Sequence, residues 1–228
     1  MLERATPSAI FDGVGRSRRT EVSMGYRETT RTRANAQARR AAIERAARHV
    51  IARGGFASAS VAAVAGEADC SAGSIYTYFT NREELLRLVF AQAAGHELAV
   101  IEDTVAAAST VAEVAESTVE VFVRRAVAGR RLAYALLLEE VPEPVQSERL
   151  RLRRGYVTAI AAGLERARRA EAVAAAVPAE VAARSIVGSI GENLVDILDP
   201  ASPNPRPAEI TALITALTAF TRSALGEP

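Results

Sequence analysis

From Asn35 onward the chain keeps a helical period. Ala36, Arg40, Ile43, Ala47, Val50 and Ile51 recur at mostly three- or four-residue steps, which predicts a helix that Gly54 and Gly55 stop. Ser60 is placed to cap a short second helix, "VAAVAGE", by offering its hydroxyl to free backbone N–H groups. Ser71 is placed to cap a third, "AGSIYTYF". Asn81 with Glu84 forms a capping-box pattern for a longer helix through "REELLRLVFAQAAGHELAVIED", and Thr110 with Glu113 repeats it before "VAEVAESTVEVFVRRAV". Helices follow through "RRLAYALLLEE", closed by Pro142 and Pro144, and through the arginine-rich "VQSERLRLRRGYVTAIAAGLERARRAE". Pro178 fits the first turn of another, to about Leu198, and "AEITALITALTAFTRSAL" is the last, after the loop "DPASPNPRP". No segment alternates as a half-buried strand does, so the fold class predicted is all-α.

Residues 1–34 lack this period and mix Gly, Pro, Ser, Thr and Arg, the pattern of a flexible arginine-rich arm. The expected organisation is that arm, a three-helix domain over 35–80 and a second helical domain over 81–228. Whether the biological start is Met1 or Met24 stays open.

Charge changes this picture. The chain of 228 residues contains no lysine; its 28 basic residues are all arginine. Net charge is only +1, but residues 1–90 carry 14 Arg against 9 acidic residues, and the remainder carries 14 Arg against 18. A basic front on an acidic remainder points to a polyanion partner for the N-terminal end, with a solvated charged face as the plainer alternative. Cys70 is the single cysteine, which excludes an intramolecular disulfide and suggests a reducing compartment. No run has the roughly 18 apolar residues of a membrane span, and the first 23 residues have no long apolar core of a secretory signal, so the expectation is a cytoplasmic protein. His49 and His96 stand far apart with no cysteine cluster, and no phosphate loop or nucleophile elbow appears. Neither a metal, a cofactor nor an enzymatic activity is expected.

Two short helices, a tight turn and a longer following helix make a helix-turn-helix arrangement, whose second helix enters the DNA major groove. Ala72, Gly73 and Ser74 keep the start of that helix slim, Ser71 suits a phosphate, and the Tyr76 and Tyr78 hydroxyls can reach phosphate oxygens or base edges. Residues 38–91 resemble the N-terminal domain of the tetracycline-repressor (TetR) family. The resemblance rests on Gly55-Phe56, Ser60-Val61, Ser71, Gly73, Ile75-Tyr76, Phe79 and Arg82-Glu83-Glu84-Leu85. It implies that Ser60, Ser71, Tyr76 and Arg82 hold phosphates, and that Ala72, Gly73, Ser74, Thr77 and Tyr78 face the bases. Tyr76 as a packing residue is the alternative. Asp69 stands where the family has glycine in the turn, and Arg82 where it has lysine. Cys70 occupies an apolar turn position, expected to be packing.

In the second half, Ala182, Ile186, Ile190, Leu194 and Ile197 form one stripe, and Ile210, Leu213, Ile214, Leu217 and Phe220 another. The resemblance implies that these last two helices pair with their copies as a homodimeric four-helix bundle; the alternative is an intramolecular core. His96, Phe122, Tyr134, Leu137 and Tyr156 are candidates for lining a ligand cavity, aliphatic more than aromatic, or are simple core. The resemblance thus implies a helix-turn-helix domain on a helical ligand-binding and dimerisation domain. The function it implies is a ligand-responsive DNA-binding transcriptional regulator: a homodimeric repressor released from a pseudo-palindromic, double-stranded DNA operator by a small-molecule effector. The rival is a dimeric adaptor or ligand-binding scaffold of the same fold without DNA binding, with Asp69 its one hint.

Overall fold

The computed structural model describes residues 30–172 and 177–226 and, among these, ten helices and no strand. Helix α1 (Thr30–Ser58) begins five residues before the expected Asn35. Its first turns pack on little, so no apolar period marks them; arginine and alanine supply helix propensity instead. It breaks at Gly55, whose φ of 76° only glycine adopts freely. Next come α2 (Val61–Glu67) and α3 (Ala72–Tyr76), and the caps form as expected: Ser60 Oγ accepts from Ala63 N–H and Ser71 Oγ from Ser74 N–H. Asn81 caps α4 (Arg82–Ala107), and Thr110 with Glu113 closes a reciprocal capping box on α5 (Val111–Ala128). The remaining helices are α6 (Arg130–Leu137), α7 (Glu143–Glu171), α8 (Ala179–Asn193), α9 (Val195–Leu198) and α10 (Pro207–Leu225). The helix expected to run from Pro178 to Leu198 is thus two, divided at Leu194.

One apolar core runs the length of the described chain. At the N-terminal end Ile43, Ile51, Phe56, Ile75, Phe79 and Phe90 bury fully among α1, α3 and α4. The half-buried Cys70 packs against them, as expected of an apolar turn position. Helix α4 leaves that cluster to lie along α7. The two helices approach closely because Gly155 faces Leu98 and Gly163 faces Val105, where any Cβ would collide. No helix among the described residues is long and apolar enough to cross a membrane.

The last helices correct the sequence reading. Ala182, Ile186, Ile190 and Leu194 are 6, 3, 0 and 1% exposed in a single chain, and Leu217 is 5% exposed. The alternative reading therefore applies to them: they are intramolecular core, and side chains so covered cannot also meet a second copy. Ile197 and Leu213 are half-buried, and Phe220 is 59% exposed. Spacing finds a face but not what covers it. Ile190→Glu should accordingly unfold the chain, since a carboxylate would be buried without a partner at a cost of several kcal/mol. Loss of the cooperative thermal transition checks this; a folded monomer would contradict it.

Candidate nucleic-acid interface and internal cavity

The turn between α2 and α3 is made by Asp69, which takes the left-handed conformation at φ 49°. Aspartate enters that region more readily than most residues, so the glycine it replaces is not needed. Beyond the turn, Ala72, Gly73, Tyr76 and Thr77 are exposed along one side of α3, while Ile75 anchors the other in the core. Tyr76 is 56% exposed, so its ring is no packing residue. A Cβ on Gly73 would meet only Ser71 Oγ, at 3.8 Å. Nothing inside the protein requires glycine there.

The other expected contacts are more constrained. Ser71 Oγ lies 2.9 Å from Ser74 Oγ, and Thr77 Oγ1 donates to Gly73 O at 3.3 Å. Ser60 is engaged as a cap, and Tyr78 is half-buried against the core. Arg82 is a tether: Nε donates to Ala59 O and Nη2 to Phe56 O, both at 2.8 Å, fastening the start of α4 to the α1–α2 joint. Beside it, Thr80 N–H donates to Glu84 Oε2 at 2.6 Å and holds that carboxyl below the ordinary carboxylate range. A lowered folded-state pKa means this contribution is present above the ordinary value and is lost as pH falls through the lowered one.

Two residues absent from the sequence reading join this domain to the rest. Glu139, between α6 and α7, accepts from Phe56 N–H at 3.0 Å and Ala57 N–H at 3.2 Å, capping the short turn after the Gly55 break. Arg149 on α7 is 8% exposed and donates to Leu136 O at 2.9 Å, Ala135 O at 3.2 Å and Glu139 O at 2.7 Å. Burial lowers its pKa, offset in part by the Glu139 carboxylate. These contacts span 83 residues at their widest and leave no local signature in the chain.

Residues 43–89 match the family described as bacterial regulatory proteins, tetR family. Residues 43–89 thus form a tetR-family domain. No curated protein sequence matches it significantly. Among solved structures, the transcriptional regulator FadR from Bacillus subtilis, in complex with stearoyl-CoA, is 21% identical over 81% of this chain and 98% of that one, with a TM-score of 0.66. GusR of Salmonella enterica is 22% identical over 83% and 96%, with a TM-score of 0.65. The fatty acid degradation regulator FadR from Bacillus halodurans is 22% identical over 79% and 96%, with a TM-score of 0.63. At these identities the likeness is one of fold.

The chain holds a cavity of about 70 Å³ between α4, α5, α6 and α7. Phe122, Leu137 and Tyr156 line it, with Ile101, Leu132 and Leu152 among the aliphatic walls. The other two candidates do not: His96 is exposed on α4, and the half-buried Tyr134 carries the Arg131 guanidinium 5.6 Å from its ring centre. Phe122 and Tyr156 meet edge to face, with ring centres 5.2 Å apart. Behind them lies a second cavity of about 130 Å³, bounded also by Arg149, Arg153, Gly188 and Glu192. Polar groups enter the first cavity at one place. Arg125 donates to Glu97 through Nε at 2.7 Å and Nη2 at 2.8 Å, and both border the cavity with Tyr156.

Proposed function

We propose that this tetR-family protein is a cytoplasmic, homodimeric repressor that binds a pseudo-palindromic operator and is released by a small molecule in the α4–α7 cavity. The observation that carries the DNA-binding part is the exposed side of α3. It presents Ala72, Gly73, Tyr76 and Thr77 outward while every large apolar neighbour turns in. Small residues admit close approach to base edges, and a hydroxyl on an exposed ring reaches a phosphate. Residues 35–80 form the reading head and residues 81–228 the effector and dimer domain. Dimerisation uses the outer faces of α8 and α10, where Phe220 and Val181 are 59% and 51% exposed. Selection from a random duplex library should enrich an inverted repeat, each half read by one α3. Enrichment of no sequence by a correctly folded sample would contradict the reading.

Release follows from the joint at Glu139. An effector that spreads α6 from α7 displaces a carboxylate that caps the reading head, so the two heads change separation while the half-sites do not.

Two smaller effects are expected. Tyr76→Phe should weaken operator binding by about 1 kcal/mol, the scale of one net hydrogen bond, and leave thermal unfolding unchanged. Unchanged affinity in a gel shift would remove Tyr76 from the interface. Residues 1–29, outside the described part, contain most of the arginine-rich arm. Deleting residues 1–23 should weaken binding to all sequences alike and flatten the salt dependence by roughly 0.9 for each phosphate that the arm no longer neutralises. An unchanged slope would mean the arm does not touch DNA.

A further inference from the structure

Tyr156 is 4% exposed and its hydroxyl makes no hydrogen bond among the described residues, although it borders the α4–α7 cavity. A hydroxyl with no protein partner beside a cavity is free to donate to whatever occupies that cavity. Burial, reinforced by the Glu97 carboxylate, pushes the phenol pKa well above its ordinary value, so the group stays an O–H donor. Arg125 supplies further donors. Its Nε and Nη2 are taken by Glu97, but its Nη1 makes no hydrogen bond among the described residues. Tyr156, Arg125 and Glu97 line one cavity, whose remaining walls are aliphatic or aromatic apart from Gly129.

The charge balance narrows what can answer them. Glu97 already neutralises Arg125 in a bidentate pair, and the cavity has no other ionisable lining residue apart from the neutral phenol. A carboxylate entering here would lose its hydration and find no net positive charge in return. A neutral oxygen acceptor satisfies the same donors without that cost. Size narrows it again: about 70 Å³ is below the ~150 Å³ of an apolar cavity that holds benzene. A six-carbon chain must therefore extend past Phe122 and Tyr156 into the second cavity of about 130 Å³, which the same two residues also line.

We infer that this site takes an uncharged effector, a short apolar body carrying one hydrogen-bond-accepting oxygen of the ester, lactone or ketone kind, received by the Tyr156 hydroxyl and the Arg125 Nη1. The inference rests on the cavity being the effector site of the proposed regulator.

Titration calorimetry with methyl hexanoate and with hexanoate tests it on the full chain at neutral pH. The ester should bind at least about tenfold more tightly than the carboxylate. Tyr156→Phe should remove about tenfold of the ester's affinity and leave thermal unfolding unchanged or raised, since only an unpaired hydroxyl is removed. Glu97→Gln leaves Arg125 uncompensated and should reverse the preference in favour of hexanoate. Hexanoate binding as tightly as the ester, binding of neither, or an unreversed preference in Glu97→Gln would each overturn the assignment. A gel shift on the same preparation keeps the two readings apart. DNA binding without ester binding sinks the effector class alone, and ester binding without DNA binding sinks the regulator alone.

Discussion

Phe220→Glu should yield a folded monomer whose operator affinity is lower by orders of magnitude, although every residue of α3 is untouched. Phe220 stands 59% exposed on α10, with Ala212, Ala216 and Ser223 also exposed along the helix. A large ring in water beside small residues is the composition of a surface that a second helix covers. In an isologous contact the substitution places two carboxylates near one two-fold axis, costing several kcal/mol of association without disturbing the chain's own core. Operator binding then loses the effective concentration that a second, linked head provides. Sedimentation gives the oligomeric state and a gel shift gives the affinity. A Phe220→Glu protein that stays dimeric would place the interface elsewhere.

Glu139→Ala should loosen the reading head. Two N–H groups, on Phe56 and Ala57, lose their acceptor, and the Phe56 amide is only partly open to water. The expected loss is about 1–3 kcal/mol at the joint between α6 and the break in α1. Heads no longer held at a fixed angle must be ordered when DNA binds, so operator affinity should fall by roughly tenfold or more. Amide hydrogen exchange should show Phe56 and Ala57 exchanging faster while the α4–α7 core stays protected. Unchanged exchange at both amides, with unchanged operator affinity, would mean that the cap transmits nothing.

What the sequence made legible was local. Ser60, Ser71, Asn81 and Thr110 each cap the helix they precede because a cap depends on a few neighbouring residues. The exposed side of α3 was readable for the same reason: small and hydroxyl-bearing residues interrupt an otherwise apolar pattern. Contacts across the chain were not readable. Arg82 looked like a phosphate ligand, but its guanidinium fastens carbonyls more than twenty residues earlier. Glu139 and Arg149 gave no signal because what they hold is backbone, which carries no residue identity. The Ile190 stripe was found correctly and assigned to a partner, because periodicity says that a face is covered but not by what. His96 has no period at all to place it inward.

The claim that α3 is the surface that meets DNA is tested most directly by Gly73→Glu. The protein has open space at that position, so a side chain there leaves the fold intact, and replacing a helical glycine adds slightly to stability. A carboxylate placed against a base edge or phosphate both occupies the approach and repels the duplex, a penalty of several kcal/mol. Fluorescence anisotropy with the selected operator should show Gly73→Glu melting no lower than the wild type yet binding at least roughly a hundredfold more weakly. Wild-type affinity in a dimeric Gly73→Glu protein would contradict the account.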